Sequence, residues 1–212
     1  MFNIFGMEQL EELAEIGLFF LVVLGISGIV GLVLYLLQAI GIYKMGKSLN
    51  VSAPWLSFIP VVNSFALGRI ASKYVKKDGK NSANFGVWLL LLEILMYILL
   101  VAFIVCAVIG VTSVIAFAED AAMSDAPMSL EMFKGFIPVI ILYVVLLAIE
   151  ITYLVLFYVS LWRIFGIFSA QNATLFTVLS IFFTFLYPIF LFVVKNDKPT
   201  VTYPERMGFE NL

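Results

Sequence analysis

Two carboxylates stand inside long apolar stretches of this chain. Glu150 lies near the middle of one stretch, and Glu93 lies about two helical turns into another. An ionisable side chain at the centre of a membrane costs roughly 3 kcal/mol on insertion scales, so its presence there is a hypothesis of function. We expect Glu150 to face other helices, either protonated or paired, and Glu93 to pair with Arg69.

The environment of Glu150 has two alternatives. In the first, Glu150 lines a polar cavity together with Tyr153 and with Gln38 or Asn63. In the second, it hydrogen-bonds a neighbouring helix and only holds the bundle together. The first alternative predicts a functional group, and the second predicts a structural one.

The sequence offers few residues for catalysis or metal binding. It contains no histidine, which removes the usual general base and most transition-metal sites. Its single cysteine, Cys106, lies in an apolar run, and no glycine-rich phosphate-binding motif is present. Because Glu93 and Glu150 lie on different stretches, a carboxylate-only enzyme is the weakest class. We expect no enzyme activity, no cofactor and no metal.

The composition is that of a membrane protein. Of 212 residues, 63% are hydrophobic, only 12% are charged and 21 are Phe, and the mean hydropathy is +1.11. Soluble domains are about 45–50% apolar and about 25% charged, because a domain of this size still needs a large polar surface. A soluble enzyme, a nucleic-acid-binding protein and a disulfide-stabilised secreted module are therefore excluded.

Four apolar stretches are long enough to cross a membrane as helices, which takes about 20 residues. They cover residues 16–43, 85–118, 135–162 and 175–194. The predicted fold is all-α, a polytopic transmembrane helical bundle with four spans that forms a single integral membrane domain over residues 1–212.

An alternative arrangement has three spans and two re-entrant segments. The apolar segment 51–71 contains Pro60 and further helix-breaking residues, so a straight spanning helix is not expected there. Pro188 would let residues 175–194 enter the membrane and turn back before the tail at 195–212. Such a return requires protein or water to satisfy the backbone.

The placement of charge predicts the orientation. Residues 44–80 contain seven of the twelve Lys and Arg residues, whereas residues 1–15 contain four Glu and no base. Basic loops stay in the cytoplasm. We expect a multi-pass protein of the cell membrane with a cytoplasmic 44–80 loop and an external N-terminus. Residues 1–15 form either an amphipathic helix at the membrane surface or a solvated turn that leads into the first span.

Small residues recur along the first predicted span. Gly25, Gly28 and Gly31 would allow another helix to approach the backbone closely in lipid. We expect packing within the molecule, with the seam of a dimer as the alternative.

One segment carries a resemblance to a known family. Residues 53–71 read A-P-W-L-S-F-I-P-V-V-N-S-F-A-L-G-R-I-A, with Trp55, Pro60 and Asn63 in a W-L-x-F-I-P-x-x-N element. This element resembles one that follows the first span in small, uncharacterised multi-spanning membrane proteins of Gram-positive bacteria. The C-terminal run L-F-T-V-L-S-I-F-F-T-F-L-Y-P is similar as well. The resemblance implies an all-helical membrane protein of bacterial origin, but no activity.

Two function classes follow from these observations. The first is a non-enzymatic interaction or accessory subunit of a membrane complex, because no catalytic set accompanies the apolar helices. The second is a transporter or channel for a small solute or ion that uses Glu150 and the broken segments. The expected partners are the lipid bilayer and another membrane protein or a second copy. Nucleic acid is not expected, because the basic run is short and the isoelectric point is about 5.1.

Overall fold

The computed structural model of the chain describes residues 2–74, 84–124 and 135–199, with side chains over 14–74, 84–116 and 135–199. These residues form helices and no strand. The helices are α1 (Phe2–Ser48), α2 (Asn63–Ala71), α3 (Phe85–Ser124), α4 (Ile137–Phe168), α5 (Ala173–Phe182) and α6 (Leu186–Val194), and two 3-10 turns (Pro54–Phe58 and Pro60–Val62) precede α2.

Three of the helices are long and apolar enough to cross a membrane. They are α1 from Ala14, α3 up to Ala116, and the whole of α4. The predicted all-α membrane bundle is thereby confirmed. Helix α1 runs without interruption from Phe2, so residues 2–15 and the first predicted span are parts of one helix. The sequence places no proline there to end the helix.

The predicted fourth spanning helix over 175–194 is not continuous. Helix α5 ends at Phe182, and α6 begins at Leu186. Pro188 is the third residue of α6, where its missing N–H removes no helical hydrogen bond. In one continuous helix its ring would clash with the carbonyl of Thr184, so the chain turns between the two short helices.

Helices α5 and α6 form a hairpin that packs against α4. The Tyr158 hydroxyl of α4 donates to the Ser180 carbonyl at 3.3 Å. Further along α4, Phe165 contacts Phe176, with ring centroids 5.6 Å apart. Later residues of α4 therefore meet earlier residues of α5, so the two helices are antiparallel.

Helix α6 runs in the same direction as α1. The contacts follow the same order on both helices: Tyr187 beside Gln38, Leu191 beside Gly41, and Lys195 beside Lys44. Burial lowers the pKa of Lys195, and the positive charge of Lys44 lowers it further by a smaller amount. Since α6 returns towards the end of the bundle where α5 began, residues 173–194 form a hairpin, here called the second hairpin.

The first hairpin, residues 51–71, begins where a left-handed cap ends α1. Asn50 has φ 49°; its N–H donates to the Lys47 carbonyl at 3.2 Å, and the Val51 N–H donates to the Gly46 carbonyl at 2.9 Å. This is the Schellman pattern, in which Asn tolerates the left-handed conformation. It reverses the chain, which then runs back along α1.

The first hairpin runs back along α1, antiparallel to it, and α2 then returns to the end of the bundle where the hairpin began. Gly46 lies against Pro54, and further along α1 the Tyr35 hydroxyl is 3.5 Å from the Ser57 carbonyl. Helix α2 runs in the opposite direction and brings Arg69 back into contact with Ser52, at the start of the hairpin. Like the second hairpin, the first leaves and re-enters the same end of the bundle.

Two glycines set the crossing of α2 and α3. A Cβ at Gly68 would lie 2.6 Å from the backbone of Gly86, and one at Gly86 would lie 2.8 Å from the Phe65 carbonyl oxygen. Real Cβ atoms essentially never come that close to backbone atoms. The crossing therefore depends on the absence of both side chains.

The buried core occupies one half of the molecule. It brings together the last turns of α1, both hairpins, the first turns of α3 and the last turns of α4, and its fully buried side chains include Ile42, Met45, Leu67, Leu89, Leu161, Ile164, Phe165 and Leu191. We call this the packed half. In the open half, α3 and α4 still meet where Gly110 faces Gly135, but every described residue of α1 from Ala14 to Val33 is exposed.

Candidate functional site

A polar cavity lies where the turns of both hairpins meet the long helices. Its volume is about 330 Å³. Polar side chains from five helices line it: Tyr35, Gln38, Asn63, Ser64, Glu93, Tyr153, Tyr158 and Tyr187. Towards the end of the bundle where both hairpins start, the buried core side chains Ile42 and Leu67 follow Gln38 and Asn63 by one helical turn.

Gln38 joins the two hairpins. Its Nε2 donates to Asn63 Oδ1 of the first hairpin at 2.8 Å. Its Oε1 accepts a hydrogen bond from the Tyr187 hydroxyl of the second hairpin at 3.1 Å. A single buried amide on α1, 9% exposed, thus holds the two turns at one level of the bundle.

Asn63 completes this network on the side of the first hairpin. Its Nδ2 donates to the carbonyl of Ser57 at 2.7 Å, near the end of the 3-10 turn Pro54–Phe58. A buried carbonyl without such a donor would raise the free energy of the folded state by about 1–3 kcal/mol. Asn63 therefore stabilises the irregular backbone of the turn as well as orienting Gln38.

The carboxylate of the cavity is Glu93 of α3. Its Oε2 accepts a short hydrogen bond from the Ser64 hydroxyl, and its side chain is 8% exposed. Tyr153 of α4 lines the same cavity beside it. A carboxylate beside hydroxyl groups in a polar cavity between apolar helices can bind a cation or take up a proton.

The predicted pair of Glu93 and Arg69 is wrong. Ser64, not Arg69, faces Glu93, while the Arg69 Nη1 donates to the Ser52 carbonyl at 2.9 Å. The cause is the crossing of α2 and α3, which places Arg69 beside Gly86. Glu93 is about two turns further along α3, beyond the reach of the guanidinium.

The structure separates Glu150 from the other residues predicted to line the cavity. Gln38, Asn63 and Tyr153 do meet there, but Glu150 is exposed on α4 and lies outside the lining. Neither predicted environment of Glu150 is present, since no hydrogen-bond or ionic partner of Glu150 occurs among the described residues. Phe157 and Leu161 of the core follow Glu150 by seven and eleven residues, so Glu150 shares their face of α4. It is exposed because it lies about two turns before Phe157, in the open half, where that face is uncovered.

The residues predicted to have structural roles have mixed outcomes. Pro60 lines the cavity, Pro188 is buried at the start of α6, and Trp55 is 57% exposed.

A Cβ at Gly25, Gly28 or Gly31 would meet nothing within 4 Å. The expected packing of these glycines within the molecule is therefore wrong, because the open half of α1 has no neighbour.

Several residues that shape the site were not singled out from the sequence. Gly68 and Gly86 set the α2–α3 crossing, and Ser64 and Tyr187 supply hydroxyl groups to the cavity. A polar residue inside an otherwise apolar segment is the signal that marks Ser64. The glycines give no such signal, because a glycine in the sequence does not indicate which helix will cross it.

Comparison with protein-family models, with curated proteins and with solved structures finds no match to this chain. The resemblance carried by the W-L-x-F-I-P-x-x-N element stays an expectation. The function must therefore be argued from the geometry.

Proposed function

We propose that this chain is a non-enzymatic interaction subunit that packs in the membrane against another membrane protein. The observation that carries the proposal is the exposure of Glu150 halfway along α4. Around it Leu147, Ile151 and Leu154 are also exposed, at 39%, 60% and 42%. An uncovered carboxyl group among apolar side chains costs roughly 3 kcal/mol in lipid, and a partner that supplies a hydrogen bond or a positive charge offsets that cost.

The open half of α1 supports the same proposal. No described residue from Ala14 to Val33 is buried, and nothing lies within 4 Å of a Cβ built at Gly25 or Gly28. Because lipid tails are as apolar as Leu, helices in membranes associate through close packing of small residues and through polar side chains. We assign the partner as a membrane-spanning helix with a basic or hydroxyl-bearing residue at the depth of Glu150.

Affinity purification of the tagged chain from its native membrane in mild detergent tests this proposal. Wild type should retain a stoichiometric membrane-protein partner, Glu150→Gln should retain part of it, and Glu150→Leu should lose it. Thr152→Val is the matched control, because Thr152 is exposed on the same helix and bonds only the Ala148 carbonyl. Equal retention by Glu150→Leu would contradict the proposal. If an untagged copy of this chain is the species retained, the partner is a second copy.

A second candidate function is a conduit for a small cation or polar solute, and the cavity around Glu93 favours it. In this arrangement α1, α3 and α4 span the membrane and both hairpins are re-entrant from the basic, cytoplasmic side. Broken helices at membrane depth are where transporters place their binding sites. A reporter fused after Leu212 tests the topology, and a cytoplasmic signal is the expected result.

Ion flux into liposomes tests the conduit itself. The purified chain should carry Na⁺, K⁺ or H⁺, and Glu93→Gln should abolish the flux while Glu150→Gln leaves it unchanged. No flux with wild type, or equal flux with Glu93→Gln, would exclude this function for the isolated chain. The two candidates are separable because they depend on different carboxylates.

A further inference from the structure

A second polar cavity opens at the end of the packed half from which both hairpins start. It lies between the first hairpin and the start of α3 and has a volume of about 540 Å³. Six polar side chains line it: Asn50, Ser52, Arg69, Ser72, Lys73 and Asn84. The described lining thus contains two cationic side chains and no Asp or Glu, which is the composition of an anion-binding site.

The guanidinium of Arg69 is held in place at this cavity. Its Nη1 donates to the Ser52 carbonyl at 2.9 Å, and its Nη2 makes a short hydrogen bond to the Ser52 hydroxyl. Its Cζ lies 5.3 Å from the centre of the Phe65 ring. Because a guanidinium has five N–H groups, a side chain positioned in this way can still donate to the oxygens of a phosphate.

The first turn of α3 adds a partial positive charge. Asn84 accepts the first hydrogen bond of the helix, from the Val87 N–H at 3.1 Å, and the Phe85 N–H donates to the Ser72 hydroxyl at 3.0 Å. Gly86 lines the cavity beside Arg69 without a side chain. The N-terminus of a long helix favours an anion at this position.

We propose that this cavity binds a phosphate group, and that the headgroup of an anionic lipid is the source its position favours. The cavity lies at the ends of all three spanning helices, where lipid headgroups meet the protein. Trp88, one turn into α3, is 56% exposed, as expected of an aromatic side chain at a membrane interface. The proposed site is independent of Glu93 and Glu150.

Native mass spectrometry of the full chain released from nanodiscs tests the site. Nanodiscs of phosphatidylcholine with a minor fraction of phosphatidylglycerol should yield protein with one retained phosphatidylglycerol. Arg69→Gln should weaken retention about fivefold, the loss expected for one basic side chain beside an anionic headgroup. Lys47→Gln is the matched control, because Lys47 is exposed at the same end of α1 but does not line the cavity.

A second arm uses the detergent-solubilised chain with inorganic phosphate. Stabilisation by phosphate that Arg69→Gln removes, without retention of phosphatidylglycerol, would assign the site to a soluble phosphate compound. Lys73→Gln provides an independent variant if Arg69→Gln does not fold. Equal retention of phosphatidylglycerol by Arg69→Gln, Lys73→Gln and Lys47→Gln, together with no response to phosphate, would overturn the proposal.

Discussion

The packed half of this molecule and the open half of α1 use the same kind of residue in opposite ways. In the packed half, Gly41, Gly68 and Gly86 each lie against backbone that a Cβ would overlap, at distances of 2.6 to 2.9 Å. In the open half, Gly25 and Gly28 have nothing within 4 Å. Both sets lie in apolar helices. The comparison teaches that a small residue is needed for packing only where the chain returns to meet itself.

We expect the largest loss of stability when the aromatic side chain that joins α4 to the second hairpin is removed. Phe165 is 0% exposed and contacts Phe176 and Phe190 at centroid distances of 5.6 and 6.4 Å. Phe165→Ala should destabilise the fold by about 3–5 kcal/mol, measured as the midpoint of thermal unfolding in detergent. Phe182→Ala, at a side chain that is 76% exposed, should leave the midpoint within error.

Next in size is the crossing of α2 and α3. Gly68→Ala or Gly86→Ala would force the two backbones apart, and overpacking of this kind costs about 1–3 kcal/mol. Unfolding midpoints of the two variants should therefore fall clearly below wild type. If Gly28→Ala lowers the midpoint equally, the contrast between the two halves is wrong.

Breaking the hydrogen bonds of Gln38 should reduce stability by as much as the glycine substitutions at the α2–α3 crossing, or by less. Asn63→Ala removes the acceptor of Gln38 Nε2 and the closer of the two donors to the Ser57 carbonyl, at a cost of about 1–3 kcal/mol. Tyr187→Phe removes one hydroxyl and should cost less. In a double-mutant cycle with Gln38→Leu, each variant should show coupling to Gln38. Additive effects would show that Gln38 does not join the hairpins.

The smallest expected effect on stability is in the open half. Gly28→Ile should leave the free energy of unfolding of the isolated chain within about 0.5 kcal/mol of wild type, because open space surrounds Gly28. The same variant should reduce co-purification of a partner that packs on α1. A normal level of partner would place the interface elsewhere, on the α4 surface around Glu150.

Sequence reasoning identified much of the cavity but not its carboxylate. Tyr153 was expected to line a cavity with Gln38 or Asn63, and all three line it, because polar side chains in apolar helices avoid lipid by facing one another. Glu150 was expected with them, yet Glu93 takes that place. Glu150 lies on the same face of α4 as Tyr153 but one turn earlier, where no other helix covers it. Which carboxylate enters the cavity therefore depends on the level at which the hairpins meet the long helices, and the contacts between the helices determine that level.

The sequence by itself determined the class of this protein. Its hydropathy requires a membrane, since a chain with 63% hydrophobic residues has too little polar surface for water. Helix is the remaining choice, because lipid leaves no other way to satisfy the backbone of a continuous apolar stretch. The prolines marked where the helices break.

Only the tertiary structure decided the rest. It showed that residues 173–194 turn back, because the direction of a short helix after a break depends on the surface it packs on. It also showed that Arg69 contacts Ser52 and that Glu150 lies where no other part of the described chain covers α4. These outcomes depend on contacts between residues far apart in the chain, such as Gly68 with Gly86 and Gln38 with Tyr187, and local pattern carries no information about which distant backbone will come close.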